Sequence, residues 1–303
     1  MQSNDKTAPT LAVAVASAGD PALLEACLDA LETARGRMAH AAPVVVARSS
    51  VAGDVSPLFE ARPWATLVVV DGTPEIPVLR GSAMRRVDTD WVALTEDLFL
   101  PDPEWLANLE RLAKPGVDVI GGSVGNARND AVSHAAYLTD YGTFPPERPA
   151  EGNVSALTGS NVTYGPLVRA RAALWASAGE WEHVIHDRLK EEGATLSFEP
   201  SARVDHNATY VFRELLGVRF RHGHQYARDR MAEHGSDGRI VRVLLAPLLP
   251  VLMTLRLARG TARQDMKRFV SAAPFVVAFY CAWIAGETLA FLMGPGRKPD
   301  GKS

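Results

Sequence analysis

Two adjacent carboxylates, Glu96 and Asp97, end an apolar run, Trp91 to Leu94, and a turn rich in proline (PDPEW, 101–105) follows them. Acidic side chains at the carboxyl end of a buried strand stand where open α/β sheets bind their ligands. Carboxylates there can hold a divalent cation against a phosphate-bearing substrate. The same position also suits a carboxylate beside a helix N-terminus, where the helix dipole favours negative charge. A second chemical pattern is GGSVG (121–125), a G-x-S-x-G motif after a predicted strand. With Asp187 and His206 later in the chain, it has the residue order of a serine hydrolase with Ser123 as nucleophile. It lacks a good helix start after Ser123 and an oxyanion segment of the His-Gly-Gly-Gly kind. His183 and His186 share one helix face at i, i+3 spacing with no third ligand in sequence reach, which reads as surface histidines.

The elements that must position these groups follow from periodicity. Apolar runs at 11–17, 43–47, 66–70, 91–95 and 117–120 read as buried strands. Between them, helical spacing appears at 21–38, 77–86 and 105–113, so strands alternate with helices and predict a mostly parallel, doubly wound α/β sheet. Residues 142–153 form a Pro- and Gly-rich loop, 156–164 a loop and strand, 166–178 and 182–193 helices, and 195–199 and 202–204 two short strands.

The 303 residues suffice for one large domain and an appendage, or for two domains. A net charge of -3 argues against nucleic acid as a partner. Two distant cysteines, Cys27 and Cys281, exclude a disulfide framework. The polar N-terminus has no signal-like apolar stretch, which predicts a cytoplasmic protein. From about residue 211 the character changes. A basic, aromatic run carries Arg213, Arg219, Arg221, His222, His224, Arg228 and Arg230 and could meet anionic lipid headgroups or a lipid diphosphate. Two apolar segments follow, 240–258, interrupted by Pro247 and Pro250, and 270–293, long enough to span a bilayer but carrying Glu287.

From Leu11 to His206 the chain resembles the family 2 glycosyltransferases of the GT-A fold, in particular the bacterial membrane-associated type. VALTED (92–97) with PDPEW, GGSV (121–124), LTGSNVTY (157–164) and the segment from Glu180 to His206 carry the resemblance through their order and spacing. GHQYARDR (223–230) and GETLAFLMGPG (286–296) resemble membrane-associated extensions of such enzymes. The resemblance implies a GT-A catalytic domain over 1–210 and a basic linker with two membrane-associated or oligomerising helices over 211–303. It implies inverting transfer of a sugar from a nucleotide-sugar donor to a glycan or lipid-linked acceptor at the cytoplasmic face of the cell membrane, in cell-envelope polysaccharide synthesis. A homo-oligomer through the C-terminal helices is the further partner expected.

By the same resemblance, Ser17, Gly19, Asp20, Arg80, Glu96 and Asp97 would meet the donor, and Gly159, Ser160, Asn161 and Trp181 the acceptor. Glu182 would be the base that takes the acceptor proton, with Glu180 and Asp187 as rivals and Trp181 placed to desolvate it and raise its pKa. Asp97 and His206 would hold a divalent cation, Mg²⁺ or Mn²⁺. The usual acidic motif is Asp-x-Asp. Here it reads Glu96-Asp97-Leu98-Phe99, with an aromatic at the third position. That departure leaves a non-catalytic sugar-nucleotide-binding or scaffold protein open beside the transferase and the hydrolase.

Overall fold

The computed structural model describes residues 10–294 except 39, 115, 235–237 and 262–265. Three parallel strands come first: β1 (Leu11–Ser17), β2 (Val44–Ser49) and β3 (Ala65–Val70). Every residue of β1 and β2 is buried, as continuous apolar runs require in a sheet covered on both faces. Helix α1 (Pro21–Arg35) follows β1, capped by Asp20, whose carboxylate accepts from the Ala22 amide at 2.9 Å, with proline in its first turn. Its apolar stripe, Leu24, Cys27, Leu28 and Leu31, is buried. Helix α2 (Ser56–Glu60) is a single short turn before β3. Helix α3 (Ile76–Met84) leads to β4 (Trp91–Glu96), which pairs parallel with β1.

Beyond β4 the sheet becomes mixed. Its eight strands run β3-β2-β1-β4-β7-β6-β8-β5. Strand β7 (Val162–Tyr164) runs antiparallel between β4 and β6 (Val119–Asn126), and β5 (Phe99–Pro101) runs antiparallel on the far edge. The parallel half is the predicted one, and the second half is mixed. Strand β8 (Leu196–His206) is a single long strand parallel to β6, where the sequence reads as two. Its register shifts so that Glu199 faces Gly122 while Arg203 faces Ser123. Pro200 has no N–H to give the ladder, so the residues around it bulge and the alternation breaks there. Helices α4 (Trp105–Leu112), α6 (Arg169–Ser177) and α7 (Glu182–Glu191) complete this unit.

The chain divides into two compact units, residues 1–127 with 144–208, and residues 128–143 with 209–303. The second takes α5 (Ala131–Tyr141), because α5 packs on the long apolar helix α11 (Met266–Met293). Its other helices are α8 (Phe212–His234), α9 (Arg239–Leu245) and α10 (Leu249–Thr261). Arg219 of α8 does not face outward with the rest of the basic run. It is buried, donates to both Asp140 carboxylate oxygens at 2.6 Å, and lies over the Phe279 ring. His222 and the exposed Arg213, Arg221 and Arg228 remain on the surface of that helix.

Candidate active site

Strand order reverses between β1 and β4, because β1 connects through α1 to a neighbour on one side while β4 lies on the other. In open α/β sheets, the crevice beyond the carboxyl ends of such a pair is the ligand site. The residues at that edge form two buried polar networks.

The first is centred on Asp97. Its Oδ2 accepts from Ser17 Oγ at 2.8 Å and from the Gly19 amide at 2.9 Å. Gly19 comes so close that a methyl in place of its hydrogen would stand 3.3 Å from that oxygen. Arg48, the penultimate residue of β2, donates to Ser17 Oγ at 2.6 Å and lies 3.9 Å from Asp97. Its remaining donors go to the carbonyls of Gly19, Ala52 and Gly53. Burial pushes the Asp97 carboxyl above the usual carboxylate range, against the pull of the Gly19 and Ser17 hydrogen bonds. Sequence reasoning missed Arg48. The signal was a lone guanidinium at the end of the apolar run VVVARS, a charge that a buried strand tolerates only when it is paired.

The second network is centred on Arg80, buried on α3. It donates through Nη2 to Glu96 Oε1 and through Nη1 to Glu182 Oε2 at 2.8 Å. Ser160 Oγ donates to Glu96 Oε1 at 3.0 Å. A methyl on Gly159 would fall 2.4 Å from Arg80 Nη1 and 2.8 Å from Glu182 Oε2, so only glycine leaves room for the pair. Burial opposes the Glu182 carboxylate, but the charge and hydrogen bond of Arg80 outweigh it and hold its pKa below the ordinary value. This corrects the expectation of a raised pKa. Trp181 stands at the cap of α7 and is 41% exposed as a residue, so it does not wall the carboxylate off from water.

One helical turn beyond Glu182, His186 is buried and shares a hydrogen bond of 3.0 Å with the Tyr164 hydroxyl. Burial pushes its pKa down to about 4, which keeps the ring neutral. It is therefore not a surface histidine, whereas His183 is exposed. The rival bases are engaged elsewhere: Glu180 pairs with Arg188 at 2.7 Å and Asp187 with Lys190 at 2.7 Å.

Asn161 is buried and its side chain turns inward. Both of its amide protons go to main-chain carbonyls, of Ser123 and Ala202 at 2.8 Å each, and its oxygen accepts from Trp105 Nε1 at 3.0 Å. It pins β6 and the β8 bulge to α4, and Gly122 is glycine because a side chain there would collide with the Ala202 carbonyl and the Asn161 amide. Ser123 is not a nucleophile at an elbow. It lies fully buried inside β6, which runs on to Asn126, and its hydroxyl donates to the Pro200 carbonyl at 2.7 Å. His206 is fully buried at the end of β8, edge-on to Phe99 with ring centroids 5.5 Å apart. Among the described residues no set of three His, Cys, Asp or Glu side chains could hold a metal ion. Asp97 Oδ2 accepts from Ser17 and Gly19 and Glu96 Oε1 from Arg80 and Ser160, while Asp97 Oδ1 and Glu96 Oε2 take part in none of these bonds. Asp20, the α1 cap, is exposed at the same crevice.

No protein-family model matches the sequence, and no curated protein matches it. Among solved structures, a mannosyltransferase from Pyrobaculum calidifontis in complex with GDP-Man and Mn²⁺ superposes with a TM-score of 0.53 at 16% identity, covering 90% of this chain and 86% of that one. This chain has a glycosyltransferase fold. In this chain that fold is a Rossmann-like α/β unit built on a mixed eight-stranded sheet. At 16% identity the likeness carries the fold to this chain and no residue roles.

Proposed function

We propose that the protein is a glycosyltransferase that moves a sugar from a nucleotide-sugar donor to an acceptor hydroxyl with inversion. The observation that carries this reading is the bridge made by Arg80, which ties Glu96 at the end of β4 to Glu182 at the start of α7. What supports the reading is that Glu182 is partly exposed and is tied through Arg80 to the end of β4, one of the two strands at the switch point. Ser17, Gly19, Asp20 and the Glu96–Asp97 pair form the donor side, where the β1–α1 turn meets the end of β4. The exposed ring of Trp181 offers an apolar face for an acceptor sugar beside Glu182.

Glu182 is ionised at neutral pH because Arg80 holds it so. As the acceptor oxygen bonds to the anomeric carbon from the face opposite the leaving group, the bond from that carbon to the donor diphosphate breaks. The hydroxyl proton passes to Glu182, and the electron pair leaves with the diphosphate. Arg80 keeps the carboxylate oriented and charged until the proton arrives.

Titration calorimetry with a panel of nucleoside diphosphates and their sugars tests the reading. Binding of one donor, with release of its nucleoside diphosphate in the presence of an acceptor, supports it. The absence of binding across the panel overturns it. A second reading, a non-catalytic sugar-nucleotide-binding protein, is favoured by the hydrogen bonds that already occupy Asp97 Oδ2. Binding without transfer to any glycan or lipid-linked acceptor would select it.

A further inference from the structure

The C-terminal unit leaves an unusual apolar face uncovered. On α9, Ile240 and Leu244 are 68% and 72% exposed, with Val241 between them; on α10, Val251, Leu252 and Leu255 are also more than half exposed. In each helix these residues recur at i, i+1 and i+4, one continuous stripe. The two helices meet at a 74° bend around Pro247, so together they do not form a straight span. The elbow adjoins an apolar groove of about 580 Å³ lined by Phe220, Pro247, Pro250, Ile284 and Leu289, which continues the stripe onto α11. Contiguous exposed apolar surface of this kind marks a contact site.

Charge selects the partner. From Gly238 to Thr261 there are four arginines, Arg239, Arg242, Arg256 and Arg259, and no acidic residue. Arg242 is taken by Glu287 at 3.6 Å and by the Phe291 ring, whereas the other three are exposed. An apolar stripe rimmed by cations alone fits the headgroup–acyl boundary of an anionic bilayer. A second copy of this chain would meet the stripe with the same arginine rim, like charge against like.

Helix α11, with 28 residues, is the one described helix long and apolar enough to cross a membrane unbroken. Its packing argues that it does not cross. A methyl on Gly286 would fall 2.0 Å from the Phe220 carbonyl of α8, and one on Gly223 of α8 2.0 Å from the Trp283 carbonyl of α11. The two helices therefore touch backbone to backbone, and any crossing by α11 would draw α8 in with it. Exposed Arg213, Arg221 and Arg228 on α8 make that costly.

We propose that the C-terminal unit docks on an anionic lipid surface from one side, with α9 and α10 lying in the headgroup–acyl boundary and α11 not spanning the bilayer. The test uses the full-length chain and phosphatidylcholine vesicles with and without phosphatidylglycerol, read by flotation. Binding that requires the anionic lipid and is released by high salt is the expected result. The surface variant Leu244→Asp/Leu252→Asp should weaken it roughly tenfold or more, and Arg256→Glu/Arg259→Glu should remove the preference for anionic lipid. Both pairs are exposed, so an unchanged circular dichroism melt shows that folding is intact. Failure to float with either vesicle overturns the proposal, as does a stable dimer that the leucine variant disperses. Protease access to epitopes at both chain ends in inverted membrane vesicles from an expressing bacterium decides the topology: cleavage of both supports one-sided docking, and protection of the C-terminal one shows that α11 crosses.

Discussion

Arg48 and Arg80 are both buried guanidiniums at the rim of one sheet, and their partners separate them. Arg48 lies 3.9 Å from Asp97 but spends its hydrogen bonds on three main-chain carbonyls and a serine hydroxyl, and so fastens the loops after β1 and β2 to each other. Arg80 spends its donors on two carboxylates, of which Glu96 is buried and Glu182 is partly exposed. An arginine bound to carbonyls fixes geometry. An arginine that joins a buried acid to a partly exposed one also sets an ionisation state, which is the ground on which a reactive site is proposed here.

Breaking the structural side of this contrast should give the largest effect. Arg48→Met leaves Asp97 buried without its cation and several carbonyls unpaired, and should lower unfolding free energy by about 3–5 kcal/mol, read from urea denaturation. On the other side, Glu182→Gln should reduce transfer by about 10²-fold or more while moving stability by no more than ~1 kcal/mol. If the two variants exchange these phenotypes, the division of labour between the networks is wrong.

Gly159→Ala tests the bridge through sterics. Its methyl would intrude on both Arg80 and Glu182, so the pair must separate or the loop must shift. A loss of about 1–3 kcal/mol in stability is expected, with a fall in kcat larger than any change in KM.

The pH dependence sharpens the comparison further. Glu182 has its folded pKa depressed by Arg80, so its contribution to stability is present above the ordinary glutamate value and is lost as pH falls through the lower folded value. The acid limb of the transfer rate should accordingly lie below the ordinary glutamate range, and Arg80→Gln should move it upward. A limb that stays in place would separate Arg80 from the ionisation of Glu182. The smallest effect belongs to His186. Its pKa drops from an ordinary 6.5 to about 4 on folding, so between those values the unfolded chain binds more protons and stability falls as pH falls. His186→Gln should flatten that slope in melts taken across the window.

Much of the first unit was legible in the chain. Strands β1, β2 and β4 are unbroken apolar runs, a pattern that a two-sided parallel sheet imposes on each strand locally. The pair Glu96–Asp97 was visible because two acids cannot sit at the end of such a run without a partner or a ligand. The antiparallel insertion of β7 was not legible, since three residues carry too little periodicity to declare a direction. The single strand β8 was hidden by its bulge at Pro200. Residue type alone also misjudged Asn161 and Ser123. A polar residue beside a glycine reads as a loop that meets substrate, whereas here both side chains bond main-chain carbonyls within the protein.

By itself the sequence determined the alternation of strands and helices, the acidic pair at a strand end, and the apolar, arginine-rimmed tail, because each of these rests on the order of neighbouring residues. Tertiary structure alone decided which acid each arginine meets. Arg80 and Glu182 lie far apart in the chain, and nothing local to either predicts the pairing. It follows from α3 and α7 being brought to the same end of the sheet, where Gly159 leaves the space in which the two charges touch.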